Sequence, residues 1–261
     1  CIKFDYPKEK YEILIGDDSN DTDVSMKLMA FADKYTCVKV IKRENNVGYK
    51  PGNLNNMIKY SNGDILVIFD SDFLPERDFL RRIVMPFADD DKICAVQSRW
   101  SMIRPHRNLI SSLSSTILAV VHHVVLPFSE KTKAALLCGS AEAVRKDVLI
   151  KLGGWKLQCL TEDIEYSLRA LIAGYKIKYI DDLKCKGEVP YLPKDMYKQQ
   201  MRWAYGVVSS YIEHGVKVVK HKELGIKDKM AILFFPCSGY VLTFLLLLLF
   251  LTGIISFITH P

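Results

Sequence analysis

The sequence predicts an α/β fold, a mostly parallel sheet flanked by helices, and three observations point to it. Apolar runs of strand length alternate with stretches of helical periodicity, as in "YEILIGDDSND", "CVKVIKR", "ILVIFDSDFLP" and "ICAVQSRW". Two of these runs stop abruptly at acids, one at Asp17 and Asp18, the other at Asp70 and Asp72. In open α/β sheets the carboxyl ends of strands are where ligands bind. The third observation is length, since 261 residues suffice for one such domain plus an appendage.

Taken in order, Ile13 to Ile15 form the first strand, and apolar Met26, Met29 and Ala30 predict a helix over about Val24 to Tyr35. After "CVKVIKR" the stretch "ENNVGYKPGNLNN" reads as a turn-rich loop feeding a short helix to Tyr60. Ile65 to Phe69, five apolar residues in a row, read as a strand buried on both faces. Side chains alternate along a strand, so Asp70 and Asp72 project to one side just past its end. "PERDFLRRIVMPF" reads as a helix with Pro75 near its start. "HRNLISSLSSTILAVVHHVVLPF" is nearly uncharged, but four serines and the adjacent His122 and His123 favour a buried or membrane-facing helix over a span. Adjacent His122 and His123 cannot share a helix face, so two core or interfacial histidines are expected rather than a metal pair. "TEDIEYSLRALIAG" is a helix that Thr161 can cap, with an apolar stripe of Ile164, Leu168, Leu171 and Ile172. "YKIKYID" is a strand, and "KDMYKQQMRWAYGVVSSYIEHGVKVV" is amphipathic and basic, suited to a membrane surface.

The formal charge of +6 is modest, and the late lysines Lys217, Lys220, Lys222, Lys227 and Lys229 suit anionic lipid headgroups better than nucleic acid. Met230 to Ile258 contains no charged residue, and a bilayer core needs roughly 20 apolar residues, so a transmembrane helix is expected there. Lysines just before it place the upstream domain in the cytoplasm by the positive-inside bias. Seven cysteines without a CxxC pair read as reduced thiols. The start at Cys1 and the stop soon after the apolar run read as an excerpt of a multi-pass membrane protein. The predicted organisation is a catalytic domain over 1–195, an interfacial segment over 196–229 and a span over 230–258. Neither a dinucleotide fingerprint, a P-loop nor a G-x-S-x-G elbow occurs.

Several residue groups suggest chemistry, each with a plainer explanation. Asp70 and Asp72 could be turn formers, but two carboxylates after an apolar strand suit Mg²⁺ or Mn²⁺ shared with a substrate's phosphates. Asp17 and Asp18 sit at a second such strand end, where an ionised carboxylate accepts from a ribose hydroxyl or a base N–H. Lys50 is either a surface lysine or a point charge for phosphate. Thr161, Glu162 and Asp163 are ordinary helix-start chemistry. Gln199, Arg202 and Trp203 fall at i, i+3 and i+4 on one helix face, where a planar cation beside a stacking ring suits a phosphate and a sugar. Alone, that trio reads as an interfacial Arg/Trp pair.

The order "GDDSND", "DSD", "TED" and "QQMRW", supported by "YKPGNLN", "CGSAEAVRKDVLIKLGGW" and "GYKIKYIDD", resembles the processive family 2 glycosyltransferases over nearly the whole chain. These are the cellulose synthases and the cellulose-synthase-like mannan and glucan synthases. The resemblance implies a GT-A fold followed by an amphipathic and a transmembrane helix, with one more strand expected ahead of "DYPKEKYEIL". It implies an inverting transfer from a nucleotide sugar, UDP-glucose or GDP-mannose, to a glycan or lipid acceptor. Asp17, Asp18 and Asp70 would contact the nucleoside, Lys50 and Arg202 the phosphates, and Asp72 with Asp70 the metal. Asp163 would be the base, while Gly139, Ser140, Glu162, Gln199 and Trp203 would line the acceptor site. The pKa of Asp163 is left open: burial and neighbouring acids would raise it, the helix terminus would lower it. The competing readings are a ceramide-type lipid glucosyltransferase, separated by product length, and a silent nucleotide-sugar binder, separated by turnover.

Overall fold

The computed structural model describes residues 1–132 and 134–259, and for 234–244, 246 and 257 the backbone only. In chain order the elements are β1 (Ile13–Asp17), α1 (Thr22–Ala32), β2 (Val38–Lys42), α2 (Tyr49–Ile58), β3 (Ile65–Ile68), β4 (Phe73–Pro75), α3 (Phe79–Val84), α4 (Pro86–Asp89), β5 (Ile93–Met102), α5 (Leu109–Val120), α6 (Leu126–Lys131), β6 (Glu142–Arg145), α7 (Lys146–Lys151), α8 (Glu162–Ile172), β7 (Lys176–Gly187), α9 (Pro193–Lys220) and α10 (Ile226–Thr259). A π-helical turn over Val121–Val125 joins α5 to α6.

Five strands form a sheet in the order β3-β6-β5-β7-β4, and β1 pairs with β2 in a separate parallel sheet. The larger sheet is mixed: β5 and β7 run parallel, whereas β6 is antiparallel to both β3 and β5, and β4 is antiparallel to β7. This corrects the expected mostly parallel sheet. Alternating strands and helices betray the elements, but β6 follows the long helical excursion of α5 and α6, and antiparallel entry then violates no crossover rule. The expectation that Ile65 to Phe69 is buried on both faces is also corrected. β3 is the outermost strand of its sheet, and only Ile68 in it is buried.

Strand alternation supplies a core on each face of the sheet. Ala95 and Val144 join Leu137, Leu149, Trp155, Tyr166 and Leu168 on one side. Their neighbours Val96 and Ala143 join Phe79, Ile83, Phe87, Leu183 and Cys185 on the other. Each large apolar side chain so buried contributes about 1.5–3 kcal/mol. The six described cysteines are free thiols.

Three local boundaries differ from the sequence reading. α2 starts at Tyr49, so Lys50 belongs to its first turn rather than to a loop. Pro75 closes the short strand β4, paired to Cys185, and α3 begins only at Phe79. Thr161 occupies the N-cap position of α8, but its side chain makes no capping hydrogen bond. That hydroxyl instead faces α9, as described below.

His122 is a core histidine as expected, with its Nδ1 3.3 Å from the Trp100 backbone N–H, while His123 is exposed. Leu109–Lys131 is long and apolar enough to cross a membrane by length and composition, and a third of it is buried within the fold. The helix expected over Met230 to Ile258 falls within α10, whose 34 residues extend about 50 Å at 1.5 Å each. The side chains of its 234–244 segment lie outside the described residues. α9 is two-faced: Gly206, Val207, Ser210, His214 and Val218 are buried. Tyr205, Val208, Ile212, Val216 and Val219 are exposed on the opposite side.

Candidate active site

The site is assembled around one turn. β6 begins at Glu142, which pairs with Ile68 at the end of β3, so the turn Gly139–Ala141 lies beside Asp70. The Asp70 backbone N–H donates to the Ser140 hydroxyl at 2.9 Å and pins the rim to this turn. Gly139 takes φ +86°, a conformation open to glycine without a Cβ penalty. Its carbonyl accepts from Lys50 Nζ at 2.5 Å, and its N–H donates to Glu142 Oε2 at 2.8 Å. A Cβ at Gly139 would stand 3.2 Å from Asp163 Oδ2. Residues from α2, the rim after β3, β6 and the start of α8 therefore meet at a single glycine.

Charge at this junction is unbalanced. Lys50 Nζ is 2.8 Å from Asp70 Oδ1 and 3.4 Å from Glu162 Oε1. Burial works against its ammonium, yet Asp70 and then Glu162 outweigh that and raise its pKa. Asp163, 8% exposed, is pushed up to about 7, first by burial and next by Glu162; Lys50 and the backbone N–H groups at the start of α8 pull the other way without prevailing. Burial thus wins the contest that the sequence left open. Glu142, 1% exposed, is pushed up to about 8 by burial and then by Asp163. Asp72 reaches solvent at the rim but is also raised, through partial desolvation and the charges of Asp70 and Glu188.

Asp17 and Asp18 form a separate group at the end of β1. Buried Asp17 accepts from Ser25 Oγ at 2.5 Å and Ser19 N at 2.9 Å, which, with Lys42, lowers its pKa against the cost of burial. Asp18 holds Arg43 through two bonds, Nε to Oδ1 at 2.6 Å and Nη2 to Oδ2 at 2.5 Å. Arg43 in turn donates to the carbonyls of Val47 and Tyr49. The pair therefore anchors the residues that open α2 and reaches Lys50 indirectly, not by contact. Ser140 is fully buried: its hydroxyl serves Asp70, and its carbonyl accepts from Trp100 Nε1 at 2.9 Å and Gln97 Nε2 at 3.1 Å.

Gln199, Arg202 and Trp203 share the helix face that continues into Gly206, one turn further along α9. A Cβ on Gly206 would stand 2.6 Å from Thr161 Cγ2, so α9 touches the residue that opens α8. Below that contact His214 Nε2 lies 2.9 Å from Glu165 Oε1, and Arg169 clasps the same carboxylate. Arg202 is exposed and forms no ion pair among the described residues, and Gln199 and Trp203 are half-buried.

Glu142, Arg43 and Gln97 went unnoticed in the sequence. Glu142 left a signal, a single acid inside the apolar "CGSAEAV". Arg43 and Gln97 left none, since nothing in a sequence shows that Arg43 folds back 25 residues to Asp18 or that Gln97 braces the turn at Cys138. For a metal, Asp70 and Asp72 offer hard oxygen donors, and the Asp72 carboxyl, raised by partial burial and then by Asp70 and Glu188, is what a divalent cation relieves. Glu165, Glu213 and His214 also place ligand atoms within 4.8 Å of one another. There, however, Arg169 and Lys156 neutralise both carboxylates, whereas at the rim Lys50 pairs with Asp70 and leaves Asp72 without an ion pair among the described residues, so the rim pair is the better fit.

Comparison with known proteins bears on the family and the fold. The model of the glycosyltransferase-like family 2 matches residues 1–206. Glucomannan 4-beta-mannosyltransferase 2 of Arabidopsis thaliana is 30% identical over 237 residues, 88% of this chain and 44% of the relative. The probable glucomannan 4-beta-mannosyltransferase 9 of Oryza sativa subsp. japonica is 28% identical over 252 residues, 92% of this chain and 48% of the relative. The chain thus spans less than half the length of these curated relatives. Among solved structures, the Pyrobaculum calidifontis mannosyltransferase PcManGT, in complex with GDP-Man and Mn²⁺, superposes with a TM-score of 0.70 at 21% identity, covering 89% of this chain and 63% of its own. TarS of S. aureus with UDP-GlcNAc gives 0.59 at 15%, covering 91% and 66%. The GT-A-like fold and the resemblance read from the motifs are both borne out: the chain belongs to glycosyltransferase-like family 2.

Proposed function

We propose that this chain is the catalytic part of a membrane-bound, inverting glycosyltransferase that moves a sugar from a nucleotide-sugar donor to a growing β-linked polysaccharide. The observation that supports it most is Asp163: a buried carboxyl held near neutrality at the start of α8, across Gly139 from a cationic Lys50 and beside an acidic rim. A general base works best with a pKa near the operating pH, and Asp163 meets that condition through burial. The acceptor hydroxyl gives its proton to Asp163 as its oxygen attacks the anomeric carbon from the side opposite the leaving diphosphate. Lys50, now paired with Asp70 and Glu162, exchanges those partners for donor phosphate, and Arg202 meets the diphosphate from α9. Glu162 and Trp203 orient the acceptor sugar beside the base. Asp70 and Asp72 would hold a divalent cation, which when bound would supply electrostatic stabilisation to the leaving diphosphate. Asp18 orders the nucleoside end of the site by holding Arg43 and, through it, the opening of α2, while Asp17 holds Ser25 of α1. GDP-mannose is the donor we favour, because the curated relatives are named as mannosyltransferases and PcManGT is described with GDP-Man.

The test is sugar transfer by the full-length protein in native-like membranes, with radiolabelled GDP-mannose, UDP-glucose or UDP-GlcNAc and Mg²⁺ or Mn²⁺. Polymer made by wild type and absent with Asp163→Asn supports the proposal. A single sugar on lipid replaces it with the ceramide-type reading. Metal-dependent nucleotide binding without turnover on any donor replaces it with a silent binder.

A further inference from the structure

We propose that Glu142 is a positioning residue of the transfer site, fixing the Gly139 turn against which the base and Lys50 are both set and tuning the charge beside them. The inference rests on the transferase reading above. Gly139 is braced on three sides: Glu142 Oε2 receives its N–H at 2.8 Å, Lys50 Nζ holds its carbonyl at 2.5 Å, and Asp163 Oδ2 occupies the space a Cβ would need. Of the three, only Glu142 is anchored in a strand, and it is buried to 1% at the exact register position where β6 meets both Ile68 of β3 and Gln97 of β5. Gln97 and Trp100 of β5 hold Cys138 and Ser140 on either side of the glycine, and Glu142 is the sheet side chain that holds Gly139 itself.

A carboxyl there is an unusual choice for a structural brace. Facing it are Asp163, Glu162 and Tyr166 from α8, Lys50 from α2, and Cys138 from the approach to the turn. Asp70 meets the same lysine from the rim. One ammonium among so many acids leaves no room for another negative charge. Glu142, raised to about 8, holds its proton into the neutral range, where Asp163, raised to about 7, is partly ionised. Above pH 8 Glu142 ionises, draws Lys50 inward and opposes the Asp163 charge. A glutamine would accept the Gly139 N–H equally well but could not titrate.

The experiment compares wild type, Glu142→Gln and Glu142→Ala in the membrane-embedded full-length protein. Wild type is expected to show an inflection in kcat/KM near pH 8 that Glu142→Gln lacks. Glu142→Ala should lower kcat at least tenfold with donor KM within about twofold, and Glu142→Gln should recover most of that loss. An identical alkaline limb in wild type and Glu142→Gln, or wild-type kcat in Glu142→Ala, overturns the inference. Infrared spectroscopy provides a readout that needs no turnover: at pH 7, with Asp163 removed by Asp163→Asn, a protonated-carboxyl C=O band is expected that the added Glu142→Gln change abolishes. A band of full intensity in that double variant sinks the idea. If wild type transfers no sugar while the band behaves as expected, it is the transferase reading that fails.

Discussion

Among single residues, the position of Asp163 dictates how the reaction should respond to pH. A base must be deprotonated to act, and burial raises this carboxyl to about 7, so kcat/KM should fall about tenfold per pH unit below that value. Asp163→Asn should cost at least about 10²-fold at every pH, the low end of what general-base catalysis provides. Lys50 pulls the Asp163 pKa down, so Lys50→Met should move the acid limb to higher pH while raising donor KM; an unmoved limb would separate the lysine from the base. Stability should respond in the opposite sense. An acid raised in the folded state stabilises fully below its unfolded pKa, near 4, and that contribution is lost as pH rises through 7. Asp163→Asn should therefore unfold at a higher temperature than wild type at pH 8, by about 2 °C or more, and the gap should close toward pH 4. Calorimetry of the two proteins across that range checks it.

Element by element, the structure shows why some of the site was legible in the sequence and some was not. Strand ends marked by Asp17, Asp18, Asp70 and Asp72 could be read because an apolar run and a sudden acid are both local. The helix of Thr161 to Gly174 and the shared face of Gln199, Arg202 and Trp203 followed from periodicity alone. What could not be read was which element each side chain would meet. Nothing local showed that Asp18 also holds Arg43, and Thr161 looked like a cap, yet it packs on α9. Strand direction was hidden for the same reason, since β6 returns after 109–131 and no local signal says which way. The α8–α9 seam yields a prediction at this scale. Gly206 gives α9 its approach to Thr161, where a Cβ would stand 2.6–3.0 Å from three side-chain atoms. Gly206→Val should destabilise by about 1–3 kcal/mol, the range for overpacking a close contact, and lower kcat by shifting Arg202 and Trp203 relative to Asp163. Wild-type stability with wild-type kcat would mean that the seam does not set the site.

For the molecule as a whole, α9 joins the site to an exposed apolar face. Its inner stripe of Gly206, Ser210, His214 and Val218 is buried on the side that meets α8, while its outer stripe of Tyr205, Val208, Ile212, Val216 and Val219 is exposed. Apolar area of that kind, repeated over four turns, is costly in water and favourable in the headgroup–acyl boundary. Lysines at its end, Lys217 and Lys220, add about 1 kcal/mol each near an anionic leaflet. If α9 lies in the interface, the base is held at a fixed height above the bilayer, because the same helix that touches Thr161 also touches lipid. Ile212, 77% exposed, accepts substitution without disturbing the core, which makes Ile212→Trp a direct reporter. In anionic vesicles containing brominated lipid, the added tryptophan emission should be blue-shifted and quenched relative to wild type. The same substitution at Met26, 59% exposed on α1, should report water and escape quenching. High salt should weaken the Ile212→Trp quenching only modestly, because apolar burial outweighs the screened lysines. Unquenched, water-like emission at Ile212 would show that α9 stands clear of the membrane and that its apolar face is covered by something other than lipid.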